Sequence, residues 1–193
     1  MRLSITCLKI AARASPVATR ALHPVNALRE NPMLNILVLC TGNSARSILG
    51  EALLNTAAVT NGQFRGFSAG SQPVGQVNPC VIQLLSAYGY DTDDFRSKSW
   101  DVFSSYESPP IDIVITVCDR AAHETCPLFS RAAIKTHWGL PDPTAESVEN
   151  SAAAFEQTYQ RLRSGIERLA ALALESMAAG ELKRELDRIG ASI

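Results

Sequence analysis

The apolar positions of the chain fall into four short runs that are separated by longer amphipathic segments. Asn35–Cys40 and Ile111–Val117 are almost continuously apolar, a pattern typical of strands that are buried on both faces of a parallel sheet. Phe64–Ser68 and Ile134–His137 are shorter runs of the same kind. The pattern therefore predicts four strands.

Helical periodicity fills the intervals between these strands. Pro79 stands in the first turn of one predicted helix and Gly89 follows its end, which are favoured positions for proline and glycine. A long helix near the C-terminus has apolar residues three and four positions apart, which form one stripe. The predicted helices are Ser47 to about Ala58, Asn78–Tyr88, a short one after Ser99, the long one with its stripe at Phe155, Tyr159, Leu162, Ile166 and Leu169, and one over roughly Gly180–Arg188.

Strands that alternate with helices predict an α/β fold, namely a doubly wound, four-stranded parallel sheet flanked by helices. Ligands of such sheets bind beyond the C-terminal ends of the strands. Cys40 and Cys118 stand at the C-terminal ends of the two most apolar predicted strands. We therefore expect both cysteines at the same edge of the sheet.

Charge separates an N-terminal segment from the rest of the chain. Of the 18 basic and 19 acidic residues, five and one lie in residues 1–32, which leaves 13 and 18 in residues 33–193. This acidic body argues against nucleic acid as a partner. Residues 1–32 are either a transit-type peptide or an upstream extension. We expect an N-terminal extension that is disordered or loosely attached, followed by one domain over residues 33–193.

Cysteine usage and hydropathy indicate the compartment. No stretch approaches the roughly 18–20 uncharged apolar residues that span a bilayer, so we expect a soluble protein without a membrane partner. Five cysteines leave one over in any complete disulfide scheme, and the body has the character of a cytoplasmic protein. The histidines are not spaced with the cysteines as a zinc site requires, and we expect neither a metal nor another cofactor.

The segment from Cys40 to Ser47 follows the first predicted strand and leads into a helix, the arrangement of an anion-binding loop. Gly42 permits close approach of the backbone, and Arg46 supplies a planar fork of donors for two oxyanion oxygens. These donors also favour the thiolate of Cys40, which would attack the central atom of a bound oxyanion in line. Ser44 or Ser47 can donate a hydrogen bond to that sulfur. The predicted oxyanion-binding residues are Thr41, Gly42, Asn43, Ser44, Ala45, Arg46 and Ser47.

The sequence Cys-Thr-Gly-Asn-Ser-Ala-Arg-Ser at 40–47 resembles the signature of the low-molecular-weight tyrosine phosphatase superfamily. It most resembles the arsenate reductases that share that fold. The resemblance covers most of residues 33–150, at Glu51, Ser68-Ala69-Gly70, Asn78-Pro79, Ile113–Cys118, Cys126-Pro127 and His137–Pro143.

The resemblance implies that arsenate is reduced to arsenite through a relay of three thiols. Cys40 forms a thiol–arsenate adduct with Asp142 as general acid, and Cys118 then attacks Cys40, which releases arsenite. Cys126 attacks Cys118 in turn, and thioredoxin, or glutaredoxin with glutathione, reduces the resulting disulfide. Phosphate and sulfate are the expected competing anions. The predicted catalytic residues are Cys40, Arg46, Cys118, Cys126 and Asp142.

The chain departs from the reductase pattern in two places. Cys126 follows Cys118 by eight positions, one more than in most thioredoxin-coupled members. Some members bind a cation at the equivalents of Asn43, Glu51 and Ser68, but the further aspartate of that site falls at Trp100 here. We therefore do not expect a potassium-type site.

Two other functions remain compatible with the motifs. A low-molecular-weight protein tyrosine phosphatase that hydrolyses aryl or protein phosphate would use Cys40 and leave Cys118 and Cys126 as bystanders. An oxyanion or redox sensor would bind its ligand at Cys40 without turnover.

Overall fold

Four parallel strands form the sheet at the centre of the molecule. The computed structural model describes residues 33–124, 129 and 133–193, apart from the side chains of residues 148 and 149. The strands are β1 (Leu34–Cys40), β2 (Phe64–Gly70), β3 (Ile113–Thr116) and β4 (Ile134–His137). Their order in the sheet is β2-β1-β3-β4, with every neighbouring pair parallel. The predicted four-stranded parallel sheet is confirmed.

Helices connect and cover these strands. None of those in the described part of the chain is both long enough and apolar enough to cross a membrane. Short 3-10 turns lie at Trp100–Phe103, Pro143–Ala145 and Leu174–Ser176. The α-helices are α1 (Arg46–Leu54), α2 (Ala57–Thr60), α3 (Pro79–Ala87), α4 (Asp119–His123), α5 (Val148–Ala170) and α6 (Ala179–Gly190).

The first helix ends at Leu54, earlier than the predicted end near Ala58, because the next side chain bonds to β2. Asn55 donates from Nδ2 to the carbonyl of Gly66 at 3.0 Å and accepts from the Gly66 amide at Oδ1 at 2.9 Å. The Asn55 amide therefore pairs with Gly66 of β2 through one donated and one accepted hydrogen bond, as an adjacent strand would. The prediction also missed α4, since a single helical turn carries too little periodicity to be recognised.

The two faces of the sheet are covered unequally. Ile36, Val38 and Cys40 of β1 belong to the larger hydrophobic cluster, whereas Leu37 and Leu39 belong to a smaller one. Side chains of a strand alternate between its faces, so Cys40 points toward the larger cluster. The predicted stripe on α5 packs into that same cluster and is at most 2% exposed at Phe155, Tyr159, Leu162, Ile166 and Leu169.

Strands β1 and β3 are neighbours, although β2 separates them in sequence. The chain leaves β1 in one direction to form β2 and returns past β1 to form β3, which creates a topological switch point. Leu39 is in register with Thr116, so the residues that follow β1 and β3 emerge side by side. The strand order thus opens a crevice at the ends of these two strands.

Candidate active site

The backbone of the loop after β1 turns its carbonyl groups outward. Amides of the segment that follows β2 bond three of these carbonyls from outside at 2.9–3.0 Å. In a trans peptide the C=O and N–H groups point in opposite directions, so the N–H groups of the same peptides point inward. The loop therefore presents converging donors on its inner side. The bonded pairs are Gln72 with Thr41, Val74 with Gly42, and Asn78 with Ser44.

The sulfur of Cys40 lies at the base of this loop. The backbone N–H of Asn43 donates to it at 3.1 Å, and Oγ of Ser47 lies 3.0 Å from it. Asn43 has φ of 43°, a left-handed conformation that asparagine tolerates better than most residues. The sulfur thus has two polar contacts on its inner side, one of them from a backbone donor. Of the two serines considered from the sequence, Ser47 is the one in contact with the sulfur.

A chain of buried polar side chains extends behind the sulfur. Asn43 donates from Nδ2 to Oγ of Ser47 and to Oγ of Ser68, each at 2.9 Å. The hydroxyl of Ser68 donates to Oε2 of Glu51, and Nζ of Lys98 lies 3.3 Å from the same oxygen. Asn43, Ser47 and Ser68 are fully buried. The loop is thus attached to α1 and β2 by buried side-chain hydrogen bonds.

Arg46 reaches across the crevice from the start of α1. Its guanidinium donates from Nη1 to the carbonyl of Leu140 at 2.9 Å and from Nη2 to Oδ2 of Asp142 at 2.8 Å. The other oxygen of Asp142 accepts from the backbone N–H and the hydroxyl of Thr144. An oxyanion bound in the loop would compete with Asp142 for the Arg46 guanidinium.

A cavity of about 590 Å³ joins these groups to the second cysteine. Cys118 lies at its wall, only 6% exposed, with its Sγ 3.6 Å from Oγ1 of Thr41. Thr41 directly follows Cys40, so both sulfurs face the same space. The lining consists of Cys40, Thr41, Gly42, Ser44, Ala45, Arg46, Gln72, Val74, Cys118, Asp119, Arg120, Leu140, Pro141, Asp142 and Thr144.

The position of Cys118 is held by contacts among the ends of β3, β4 and α4. His137 bonds through Nδ1 to the hydroxyl of Thr116 at 2.9 Å, and its Nε2 lies 3.2 Å from Oδ1 of Asp119. Arg120 brings a positive charge to the cavity wall two residues after Cys118. These contacts attach the first turn of α4 to the sheet edge and so place Cys118 at the cavity.

Four of the five predicted catalytic residues meet in this cavity, and Cys126 lies outside the described residues. Asn43 and Ser47 are the members of the predicted oxyanion set whose side chains lie behind the loop. The other members, Thr41, Gly42, Ser44, Ala45 and Arg46, line the cavity. Within the described ranges, no three His, Cys, Asp or Glu side chains are grouped so that they could hold a metal ion.

Sequence reasoning missed the residues that support the loop from outside. Gln72 and Val74 form part of the cavity wall, and Lys98 contacts Glu51 behind it. A side chain at Gly70 would meet the loop directly, because a Cβ there would lie 2.5 Å from the carbonyl oxygen of Thr41. The only local signal for this close approach is the glycine that ends the Ser68-Ala69-Gly70 segment.

We expect Gly70→Ala to deform the loop, because its methyl group can be accommodated only if the Thr41 carbonyl moves. Overpacking of this kind costs about 1–3 kcal/mol of stability. Calorimetric titration with inorganic phosphate should show at least a roughly tenfold loss of affinity, which corresponds to about 1.4 kcal/mol.

The matched control is Gly180→Ala in α6, where the nearest atom to the new methyl group is Nη1 of Arg184 at 3.9 Å. That variant should bind phosphate as the wild type does. Unchanged phosphate affinity in folded Gly70→Ala would contradict the close packing of loop and strand.

Comparison with known proteins identifies relatives of this chain. Residues 35–186 match the family model for low molecular weight phosphotyrosine protein phosphatase. An arsenate reductase of Bacillus subtilis (strain 168) is 32% identical over 132 residues, which span 68% of this chain and 88% of the relative. An arsenate reductase of Bacillus licheniformis is 33% identical with the same coverage.

Solved structures share the fold of the chain. A thioredoxin-dependent arsenate reductase from Corynebacterium glutamicum has a TM-score of 0.51 at 23% identity, over 72% of this chain and 63% of that one. The tyrosine phosphatase Wzb from Escherichia coli K30, in complex with sulphate, has a TM-score of 0.52 at 22% identity, over 70% and 95%. The predicted phosphatase-like fold is confirmed. By the match over residues 35–186, the chain belongs to the low molecular weight phosphotyrosine protein phosphatase family, in which its sequence resembles bacterial arsenate reductases.

Proposed function

We propose that this protein reduces arsenate to arsenite, with Cys40 as the nucleophile and a disulfide relay to a thiol donor. The observation that carries the proposal is the second thiol, Cys118, in the wall of the same cavity as Cys40. A phosphatase needs one thiol, whereas a reductase must take two electrons from thiols and deliver them to the bound oxyanion. The relatives named arsenate reductase support the same choice.

Arsenate binds in the loop, where inward N–H groups and the Arg46 guanidinium hold its oxygens. The thiolate of Cys40 attacks arsenic in line, so that an S–As bond forms and an As–O bond breaks. The carboxyl group of Asp142, released from Arg46, donates a proton, and the oxygen leaves as water. Ser47 and the Asn43 amide stabilise the thiolate until attack.

Reduction takes place in the next step. The thiolate of Cys118 attacks Sγ of Cys40, and the S–As bond breaks with its electron pair remaining on arsenic. Arsenic(V) becomes arsenic(III) and leaves as arsenite, while the two thiols are oxidised to a disulfide. Arg120 adds a positive charge to the cavity wall in which Cys118 lies.

The relay is completed by Cys126, which attacks Cys118 and restores the Cys40 thiol. Thioredoxin, or glutaredoxin with glutathione, then reduces the Cys118–Cys126 disulfide. This cycle requires a reducing compartment, and we assign the protein to the cytoplasm on that ground. Phosphate and sulfate compete for the loop because they share the tetrahedral oxyanion geometry.

The composition of the cavity wall favours a small inorganic oxyanion over an aryl phosphate. No Phe, Tyr or Trp is among the residues that line it in the described part of the chain. Residues 1–32, 125–128 and 130–132 contain none of these residue types either. A site for phosphotyrosine gains by stacking an aromatic wall on the phenyl ring, and this cavity offers aliphatic and polar side chains there.

Two assays on the same preparation test the proposal. Arsenate should drive oxidation of a thioredoxin or glutaredoxin–glutathione system, and hydrolysis of an aryl phosphate should be slower by at least about a hundredfold in kcat/KM. After one arsenate turnover without reductant, peptide mapping should recover a Cys118–Cys126 disulfide.

The other outcomes of these assays are equally informative. Fast aryl phosphate hydrolysis without arsenate-dependent thiol oxidation would identify a phosphatase. A mixed disulfide between Cys40 and glutathione would place an external thiol where Cys118 is proposed to act. Modification of Cys40 without turnover would identify a sensor.

A further inference from the structure

Lys98 lies behind the loop, on the side away from the cavity, and contacts the polar chain at two points. Its backbone N–H donates to Oδ1 of Asn43 at 2.7 Å, and its Nζ lies 3.3 Å from Oε2 of Glu51. The side chains of Lys98 and Glu51 are 27% and 15% exposed. Lys98 is thus the positive partner of a largely enclosed carboxylate and has no contact with the cavity.

The Glu51 carboxylate and the backbone N–H of Lys98 together determine the direction of the hydrogen bonds that run from Glu51 to the sulfur. The Glu51 carboxylate can only accept, so Ser68 must donate its hydroxyl hydrogen to it. Oδ1 of Asn43 accepts from the backbone N–H of Lys98, so the other terminal atom of this side chain is Nδ2. Nδ2 donates one hydrogen to Ser68 and the other to Ser47. The hydroxyl hydrogen of Ser47 then remains for the sulfur of Cys40.

We infer that Lys98 is a positioning residue for Cys40, acting through Glu51, Ser68, Asn43 and Ser47. Its ammonium group balances the charge of the Glu51 carboxylate at the far end of this chain of hydrogen bonds, which reduces the negative charge behind the Cys40 thiolate. The inference rests on the proposed function only in taking Cys40 as the nucleophile.

The Lys98 side chain acts on the loop through charge balance. Without its ammonium group, Glu51 would place an uncompensated negative charge behind the loop that must hold both a thiolate and an oxyanion. Like charges in a partly enclosed site oppose one another. An enclosed carboxylate that loses its partner is also strongly destabilising. The Lys98 side chain therefore supports the thiolate by its charge, while the backbone N–H of the same residue orients Asn43.

The test measures the reactivity of the Cys40 thiolate without using arsenate. Alkylation of Cys40 by iodoacetamide is followed by peptide mass spectrometry across a pH series. In Lys98→Met, the rate near neutral pH should fall roughly three- to tenfold, and half-maximal alkylation should move to higher pH. The charged groups that face Cys40 from the cavity side, Arg46, Asp119, Arg120 and Asp142, are unchanged in this variant.

Three further variants separate positioning from a general effect on folding. Lys98→Arg keeps the positive charge and should react nearly as the wild type does. Lys135→Met removes an exposed lysine of β4 and should have no effect. In Lys98→Met with Glu51→Gln, the rate should return toward that of the wild type, since glutamine still accepts from Ser68 and carries no unbalanced charge.

Rescue by a small cation distinguishes a role of the Lys98 charge from a purely structural role of its side chain. Potassium chloride should restore part of the alkylation rate of Lys98→Ala, whereas choline chloride at equal ionic strength should not, because a bulky trimethylammonium group cannot approach a carboxylate as closely as K⁺ does. Melting curves identify variants that remain folded.

Three results would overturn the inference. They are a wild-type rate in folded Lys98→Met, equal slowing in Lys98→Arg and Lys98→Met, or a double variant as slow as Lys98→Met alone. All three can be observed whether or not arsenate proves to be the substrate.

Discussion

Cys40→Ser is expected to lower arsenate turnover by at least about a thousandfold, to the level of a protein-free control. A serine hydroxyl is not ionised near neutral pH, and its oxygen cannot become part of a disulfide. The fold should persist, because serine is close in size to the cysteine that it replaces. Steady-state oxidation of the thiol donor by arsenate measures the loss.

The matched control for this variant is Cys80→Ser. Cys80 lies in α3, outside the cavity, with its Sγ 3.6 Å from the hydroxyl of Ser151. Its replacement should leave turnover within about twofold of the wild type, since most substitutions away from a site have small effects. Turnover that persists in Cys40→Ser would assign the nucleophile to another residue.

Cys118→Ser is expected to stop the reaction after the first step. The adduct on Cys40 then has no neighbouring thiol to attack it, so arsenite release in a single turnover, and thioredoxin-coupled turnover with it, should fall at least about a hundredfold. Arg46 and Asp142 are untouched, so phosphate affinity should remain that of the wild type. This contrast distinguishes loss of the relay from loss of the oxyanion site.

Cys126→Ser serves as the companion to this variant. It should release one equivalent of arsenite and then stop with a disulfide between Cys40 and Cys118. Normal thioredoxin-coupled turnover in Cys118→Ser would contradict the relay. Turnover in that variant with glutathione and glutaredoxin alone would show that an external thiol attacks the adduct.

Much of the fold could be predicted from local patterns. The apolar run at Asn35–Cys40 covers all of β1 except its first residue, the run at Ile111–Val117 contains β3, and the stripe on α5 faces the core as expected. Errors appear where a distant partner decides the local structure. Helix α1 ends at Leu54 because Asn55 bonds to Gly66, which is eleven residues further along the chain.

Some residues of the candidate site could likewise be predicted from local sequence, and others could not. The loop from Cys40 to Ser47 could be recognised because its function depends on consecutive residues and on the strand and helix that flank it. Glu51 could be named only through the family resemblance, and Lys98 could not be recognised, since the two residues are 47 positions apart and their contact depends on the course of the intervening chain. The cation site of some reductases was compared with this sequence only at Trp100, the position of the missing aspartate, and Lys98 was not recognised as a positive charge near Glu51.

The sequence by itself determined the four strands, the longer helices between and after them, and the thiol loop, because periodicity and consecutive donors act over a few residues. Only the tertiary structure decided that Cys118 shares a cavity with Cys40, that Arg46 bonds to Asp142, and which partner balances Glu51. These contacts join residues brought together by the β2-β1-β3-β4 order. Their formation depends on the packing of the whole sheet and its helices, which no local pattern contains.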